Sequence, residues 1–303
     1  MMASEARYQT LLKLASGGMA TVYVGTVRGA LGFRQLVAIK RPHPHLLADP
    51  EYKRELIAEA RLASMIHHAN VVDVRDVEES GPSVQLVMDY VEGAALSQLL
   101  GAWQRKEAEL PSAVALRIVL DACEGLHAAH EMRDDSGSLL NVVHRDVCPA
   151  NLFVLYAGHT KVVDFGIAKA AGRIHKTATG IVKGHISYMS PEQLTGGPVD
   201  RRADVWALGV VLWELVAGER LFHHTTAVQS IRAITSGPIP KLSRVRRGIP
   251  EAIDNVMAKA LARDPNERYA SARELGRDLT HFLFRHCEPT GMAELSGWMV
   301  ALF

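Results

Sequence analysis

Apolar and polar positions change their spacing once along the chain, near residue 92. Before that point residues 21–27, Thr-Val-Tyr-Val-Gly-Thr-Val, alternate with period two, as a strand with one buried face does. Residues 35–40 repeat the alternation, and 71–77 and 84–88 predict two further strands. Between them Leu56, Ala60, Ala63 and Ile66 recur at helical spacing and predict one helix over 51–67. Strands around a single helix imply a small sheet-based lobe over residues 8–91.

After Glu92-Gly93 the texture becomes helical. Residues 113–130 form a helical pattern with Pro111-Ser112 as its start signal. Residues 204–217 are apolar nearly all round, which predicts a buried central helix. Residues 250–261 and 271–284 read as amphipathic helices. Asp134-Asp135-Ser136-Gly137-Ser138 reads as the turn of a surface hairpin. The run 292–303 reads as a closing helix packed on the large lobe. The pattern predicts an α+β chain: a β-rich small lobe, a hinge near 89–92, a helical large lobe over 92–285 and a helical extension over 286–303.

Composition narrows the function classes. Apolar residues make up 48% and charged residues 22%, as in ordinary globular proteins. With 34 basic and 33 acidic side chains the net charge is +1, so no global basic field exists to hold nucleic acid. The three cysteines, Cys123, Cys148 and Cys287, form no C-x-x-C pair, which excludes a zinc ribbon or redox motif and suits a reducing compartment. The longest apolar run, 205–213, is about half of what a membrane-spanning helix needs. The N-terminus lacks the pattern of a signal peptide. The expectation is a cytoplasmic protein, or the cytoplasmic part of a longer chain.

Three stretches carry the chemistry: Val37-Ala38-Ile39-Lys40, then His144-Arg145-Asp146-Val147-Cys148-Pro149-Ala150-Asn151, then Asp164-Phe165-Gly166. Each alone has a bland explanation. Lys40 could be a strand-end surface lysine, Glu59 shares its helix with Glu51 and Glu55, and Asp146, Asn151 and Asp164 are ordinary turn formers. In this order and spacing, the chain resembles the eukaryotic-like (Hanks-type) Ser/Thr protein kinases of bacteria, over about residues 8–285.

That resemblance implies a bilobal protein-kinase fold, with a small antiparallel-sheet N-lobe holding one main helix and a larger, mainly helical C-lobe. It implies transfer of the γ-phosphate of ATP to protein hydroxyls with Mg²⁺, Mn²⁺ being an alternative ion. Lys40 would grip the α- and β-phosphates, held by Glu59. Asp146 would orient the attacking hydroxyl and accept its proton. Asn151 and Asp164 would hold the metal with hard oxygen ligands. Leu14, Gly17, Gly18, Val22 and Ala38 would surround the nucleotide, although Ala15 and Ala20 replace the first and third glycines of the family's phosphate-covering loop. Met88 would line the back of the adenine pocket, and the backbone of Asp89 and Val91 would bond the adenine. Ser190-Pro191-Glu192 would close the activation segment, with Glu192 paired to Arg268, and Asp204 would brace the catalytic loop.

Two positions depart from the family. Cys148 stands where a lysine is usual, and His185 where a threonine is usual; both are expected near the catalytic aspartate, as one repacked network. Losing a cationic donor there can slow transfer by on the order of 10²–10³. Arg145 before Asp146 implies an activation segment ordered by phosphorylation, with Thr177 and Thr179 as acceptors and Arg173 or Lys176 as further basic partners. Pro149 favours Ser/Thr over Tyr specificity. The basic stretch of Lys241, Arg244, Arg246 and Arg247 reads as a solvated loop. Expected partners are protein substrates, and a second copy for phosphorylation in trans. The alternatives are a pseudokinase scaffold, for which Cys148, His185, Ala15 and Ala20 speak, and a small-molecule phosphotransferase, which has no need of an activation segment.

Overall fold

The computed structural model describes residues 7–29, 32–81, 83–106, 110–165, 186–288 and 290–302. The chain forms two compact units: Met1–His68 with Val72–Glu92, and Ala69–Val71 with Gly93–Phe303.

The first unit is built on a five-stranded antiparallel sheet. Its strands are β1 (Tyr8–Ser16), β2 (Ala20–Arg28), β3 (Arg34–Pro42), β4 (Val74–Ser80) and β5 (Ser83–Asp89), in the order β1-β2-β3-β5-β4. Alternation along β3 sets its two faces. Val37 and Ile39 are fully buried with Tyr8 and Val87, while Ala38 and Lys40 lie half-buried on the opposite face. A helical turn α1 (Pro44–Leu47) leads into α2 (Pro50–Ala63). The Asp49 side chain caps α2 by accepting from Glu51 N, and Pro50 pre-sets its first turn. Its Tyr52, Leu56 and Ala60 pack on Val84 and Leu86 of the sheet.

Two expectations shift here, and one strand is new. α2 stops at Ala63 rather than 67, because Ser64 is its C-cap, and Ile66 is buried from the turn that follows. The strand expected over 71–77 begins at Val74, because Val71 instead bridges to Val162 in the second unit. β1 showed no alternating pattern because two register shifts, between Thr10 and Leu12 and between Lys13 and Ala15, break its period.

The second unit holds a small antiparallel sheet of β6 (Gly93–Ala95), β7 (Leu152–Leu155) and β8 (Thr160–Val162), in that order. Its helices are α3 (Leu96–Lys106), α4 (Ser112–His130), α5 (Pro191–Thr195), α6 (Arg202–Ala217), α7 (Ala227–Ser236), α8 (Leu242–Val245), α9 (Ala252–Ala260), α10 (Ala272–His286) and α11 (Met292–Leu302). α6 is buried on every side from Ala203 to Val216, as its unbroken apolar sequence predicts. The turn at Asp134 forms as expected: its Oδ1 accepts from Ser136 N at 2.9 Å and Ser138 N at 3.0 Å, between the bridged Arg133 and Leu139. In the stretch from Lys241, Lys241, Arg244 and Arg247 are exposed, as expected of a solvated segment, but the segment is not all loop. Leu242–Val245 is helical, and Arg246 Nη1 donates to the carbonyls of Leu110 (2.9 Å) and Val216 (3.0 Å), tying this turn to α6 and the start of α4.

Candidate active site

The catalytic loop of the second unit hangs on one buried carboxylate. Asp204, in the first turn of α6, accepts from Arg145 N through Oδ1 and from His144 N through Oδ2, both at 2.8 Å. His130 Nε2, at the end of α4, also meets Oδ2 at 2.8 Å. Burial pushes the Asp204 carboxyl upward, but the bond and charge of His130, with the His144 amide, outweigh it and hold the group below the usual carboxylate range.

His144 continues the frame. Its Nδ1 accepts from Asp146 N at 3.2 Å, so the ring hydrogen sits on Nε2, which donates to Val163 O at 2.9 Å. The ring also packs on Phe165, with centroids 4.7 Å apart. One imidazole thus joins the loop that carries Asp146 to Val163, the residue after β8 that precedes Asp164.

The geometry at the reacting end follows from this frame. A 3₁₀ turn over Pro149–Asn151 buries Asn151, whose Nδ2 donates to Asp146 O at 2.8 Å and to Asp146 Oδ2 at 3.1 Å. Val163 N donates back to Asn151 O at 3.0 Å, fixing Asp164 next to the same loop. Arg145 and Asp164 both adopt left-handed backbone conformations, φ 63° and 56°, which non-glycine residues rarely hold without surrounding constraint. The Asp146 side chain is half-buried and Asp164 is exposed.

The oxygen donors fit a small divalent cation bound with phosphates. Asn151 turns its Nδ2 to Asp146, so its remaining polar atom is the carbonyl Oδ1. Together with the Asp164 carboxylate this gives two hard oxygen ligands. Among the described residues no cluster of three or more His, Cys, Asp or Glu could hold a metal. A Mg²⁺-like ion held by few protein ligands needs substrate phosphates to complete its shell, which matches this donor set.

The first unit carries the other motifs. Lys40 lies on β3, in register with Val22 of β2 and Leu86 of β5, on the same face as Ala38. Burial raises the Tyr52 hydroxyl, while Lys40 pulls it down and Glu59 pushes it up, so the lysine and the glutamate of α2 share one electrostatic neighbourhood. β1 and β2 meet in a turn of only three residues, Gly17 to Met19, and Leu14 on β1 is 48% exposed. Met88 of β5 is in register with Ala38 of β3. Asp89 N–H is spent on Asp73 O at 3.0 Å, and its side chain accepts from Arg75 Nε. Val91, two residues further on, is half-buried.

Downstream, Arg268 pairs with Glu192 through two bonds of 2.7 Å, both side chains being buried. Arg268 also donates to Ala262 O and Arg263 O and lies over the Trp206 ring. Two contacts were not legible beforehand. Gln193 Nε2 donates to Arg145 O at 3.0 Å, joining the end of the activation segment to the catalytic loop. Tyr188 donates to the buried Glu214 at 2.8 Å. Cys148 is buried, and its carbonyl accepts from Asn151 N at 2.9 Å. Thr177, Thr179, Arg173, Lys176 and His185 lie outside the described residues, and so does the expected meeting of Cys148 with His185.

Comparison with known proteins agrees with this architecture. The protein kinase domain family matches residues 8–279. Tyrosine-protein kinase MasK of Myxococcus xanthus is 39% identical over 296 residues, 98% of this chain and 46% of that protein. Serine/threonine-protein kinase Pkn1 of Myxococcus xanthus is 33% identical over 300 residues, 97% of this chain and 41% of that protein. The crystal structure of the Mycobacterium tuberculosis PknI kinase domain superposes with a TM-score of 0.68 at 29% identity, covering 92% of this chain and 97% of that one. The chain belongs to the protein kinase family, in its bacterial Hanks-type branch. Members use ATP with a divalent metal and act on proteins. This chain spans less than half the length of those two curated relatives. No described helix is long and apolar enough to cross a membrane.

Proposed function

We propose that this chain transfers the γ-phosphate of Mg-ATP to serine and threonine hydroxyls of proteins. The observation that carries the reading is the single hydrogen-bond frame running from Asp204 through His144 and Asp146 to Asn151. It presents a carboxylate base beside an amide oxygen, with Asp164 directly after Val163, whose carbonyl the frame also fixes. Phosphoryl transfer asks the protein for positioning and charge neutralisation more than for covalent chemistry.

In this reading Asp146 aligns the substrate hydroxyl and takes its proton. Asn151 and Asp164 hold Mg²⁺, or Mn²⁺ in its place, and the bound ion neutralises charge on the phosphates. Lys40, held by Glu59, binds the α- and β-phosphates. Leu14, Gly17, Gly18, Val22 and Ala38 enclose the nucleotide, with Met88 behind the adenine and Asp89 and Val91 bonding it through their backbone. Arg145 receives a phosphate on Thr177 or Thr179, and Cys148 with His185 replaces the usual lysine–threonine pair. Residues 8–91 and 92–285 act as the two kinase lobes, and 286–303 as an extension. The protein works in the cytoplasm and phosphorylates a second copy of itself in trans.

The tyrosine specificity in the name of MasK motivates one competing outcome. Labelling with γ-³²P-ATP and a generic basic protein, followed by acid hydrolysis, separates them. Phosphoserine and phosphothreonine are expected. Phosphotyrosine alone would overturn the specificity, and no label at all would return the chain to the scaffold reading.

A further inference from the structure

The turn joining β1 to β2 is held from outside itself. Gly17 N–H donates to Ala20 O at 2.9 Å, closing the turn over Gly18 and Met19. His43, just past the end of β3, then takes both ends of that turn. Its N–H donates to Met19 O at 2.9 Å, and its imidazole Nε2 lies 2.8 Å from Gly17 O. A carbonyl oxygen only accepts, so Nε2 carries the hydrogen and donates it.

His43 is unusually well fixed for a surface side chain. It sits in Pro42-His43-Pro44, and a residue before proline is confined to extended backbone; its φ is −67° and its ψ 142°. Pro42 is in register with Ala20, so the β2–β3 ladder delivers His43 beside the turn. The ring stacks on His45, with centroids 5.8 Å apart and planes 17° apart. The turn is pinned on this side, braced at its base by Ser16 Oγ and Thr21 Oγ1 at 2.9 Å, and open at Gly18, where an added Cβ would meet nothing within 4 Å.

We propose that His43 is a positioning residue that latches the phosphate-covering turn in its binding conformation, and so sets affinity for the triphosphate without touching it. The inference rests on reading this turn as the phosphate-covering loop. Two of the family's three glycines are alanine here, at Ala15 and Ala20, so the backbone freedom of glycine is confined to the three-residue turn Gly17, Gly18 and Met19. Both carbonyls that His43 holds belong to those three residues. Ordering them before ligand arrives removes part of the entropic cost of closing on phosphate.

The test is calorimetric titration of the 303-residue chain with ATP and, separately, adenosine, in Mg²⁺ buffer, for the wild type, His43→Leu and His43→Gln. Glutamine offers an amide N–H close to where Nε2–H stood. His43→Leu should weaken ATP binding about fivefold, the worth of one neutral hydrogen bond, and leave adenosine affinity unchanged. His43→Gln should recover most of the loss. Unchanged or tighter ATP binding by His43→Leu overturns the latch, as does an equal loss for adenosine or a failure of glutamine to rescue. A wild type that binds neither ligand overturns the nucleotide reading of the turn itself, and the latch with it.

Discussion

Asp204 shows how much a single side chain organises. It is 1% exposed, yet it holds two backbone amides and a histidine, and through them the positions of Asp146 and Asn151. Asp204→Asn keeps the shape but turns an N–H toward donors. It should cost about 3 kcal/mol, from one lost and one opposed charge-assisted bond, read by urea unfolding at neutral pH. The pH dependence has a definite sign. A carboxyl whose folded pKa lies below its unfolded value stabilises the fold fully above the unfolded value, about 3.9, and loses that contribution as pH falls through the folded value. The acid limb of the stability profile should therefore be shallower in Asp204→Asn than in the wild type. A parallel acid limb would mean that Asp204 is not held low.

At the scale of elements, the motif-bearing loops and the long helices were legible because their residue types recur at spacings set by chemistry or by helical period. Other elements were silent for physical reasons. β1 carries two bulges that erase its alternation. α3 is short and has Gly101 at its middle, which weakens a helical pattern. The roles of His43, Gln193 and Arg246 rest on backbone carbonyls, which no pattern of side chains announces. His130 on α4 carries no signal of its own in the sequence, because its partner Asp204 comes from α6. The Glu192–Arg268 pair was legible, and it is buried. Arg268→Met should cost about 3–5 kcal/mol by leaving Glu192 unpaired, and adding Glu192→Leu should return much of it; a denaturant series on both variants checks this. Helix α11 makes a third case. Gly158, at φ +83°, lies against the Met292 carbonyl so closely that a Cβ would collide with it. Gly158→Ala should free α11 from the turn after β7, also releasing the bond from Ser296 Oγ to Tyr156 O. Hydrogen exchange should then speed up over 292–302 and stay unchanged in α6.

At the scale of the whole molecule, the motif set is divided between two units. Lys40 and Glu59 belong to the first, and Asp146, Asn151 and Asp164 to the second. The catalytic loop is fully framed despite Cys148 in place of the usual lysine, so the substitution bears on rate rather than on whether the frame forms. A scaffold would need neither a framed base nor metal-binding oxygens, the roles proposed for Asp146 and for Asn151 with Asp164. The most direct test compares wild type with Asp146→Asn for γ-phosphate transfer to a basic protein, while ATP affinity is measured in parallel. The account predicts that label vanishes in the variant while ATP still binds, because Asp146 serves the hydroxyl and not the nucleotide. Label that persists at the wild-type rate would contradict it and place the chemistry elsewhere.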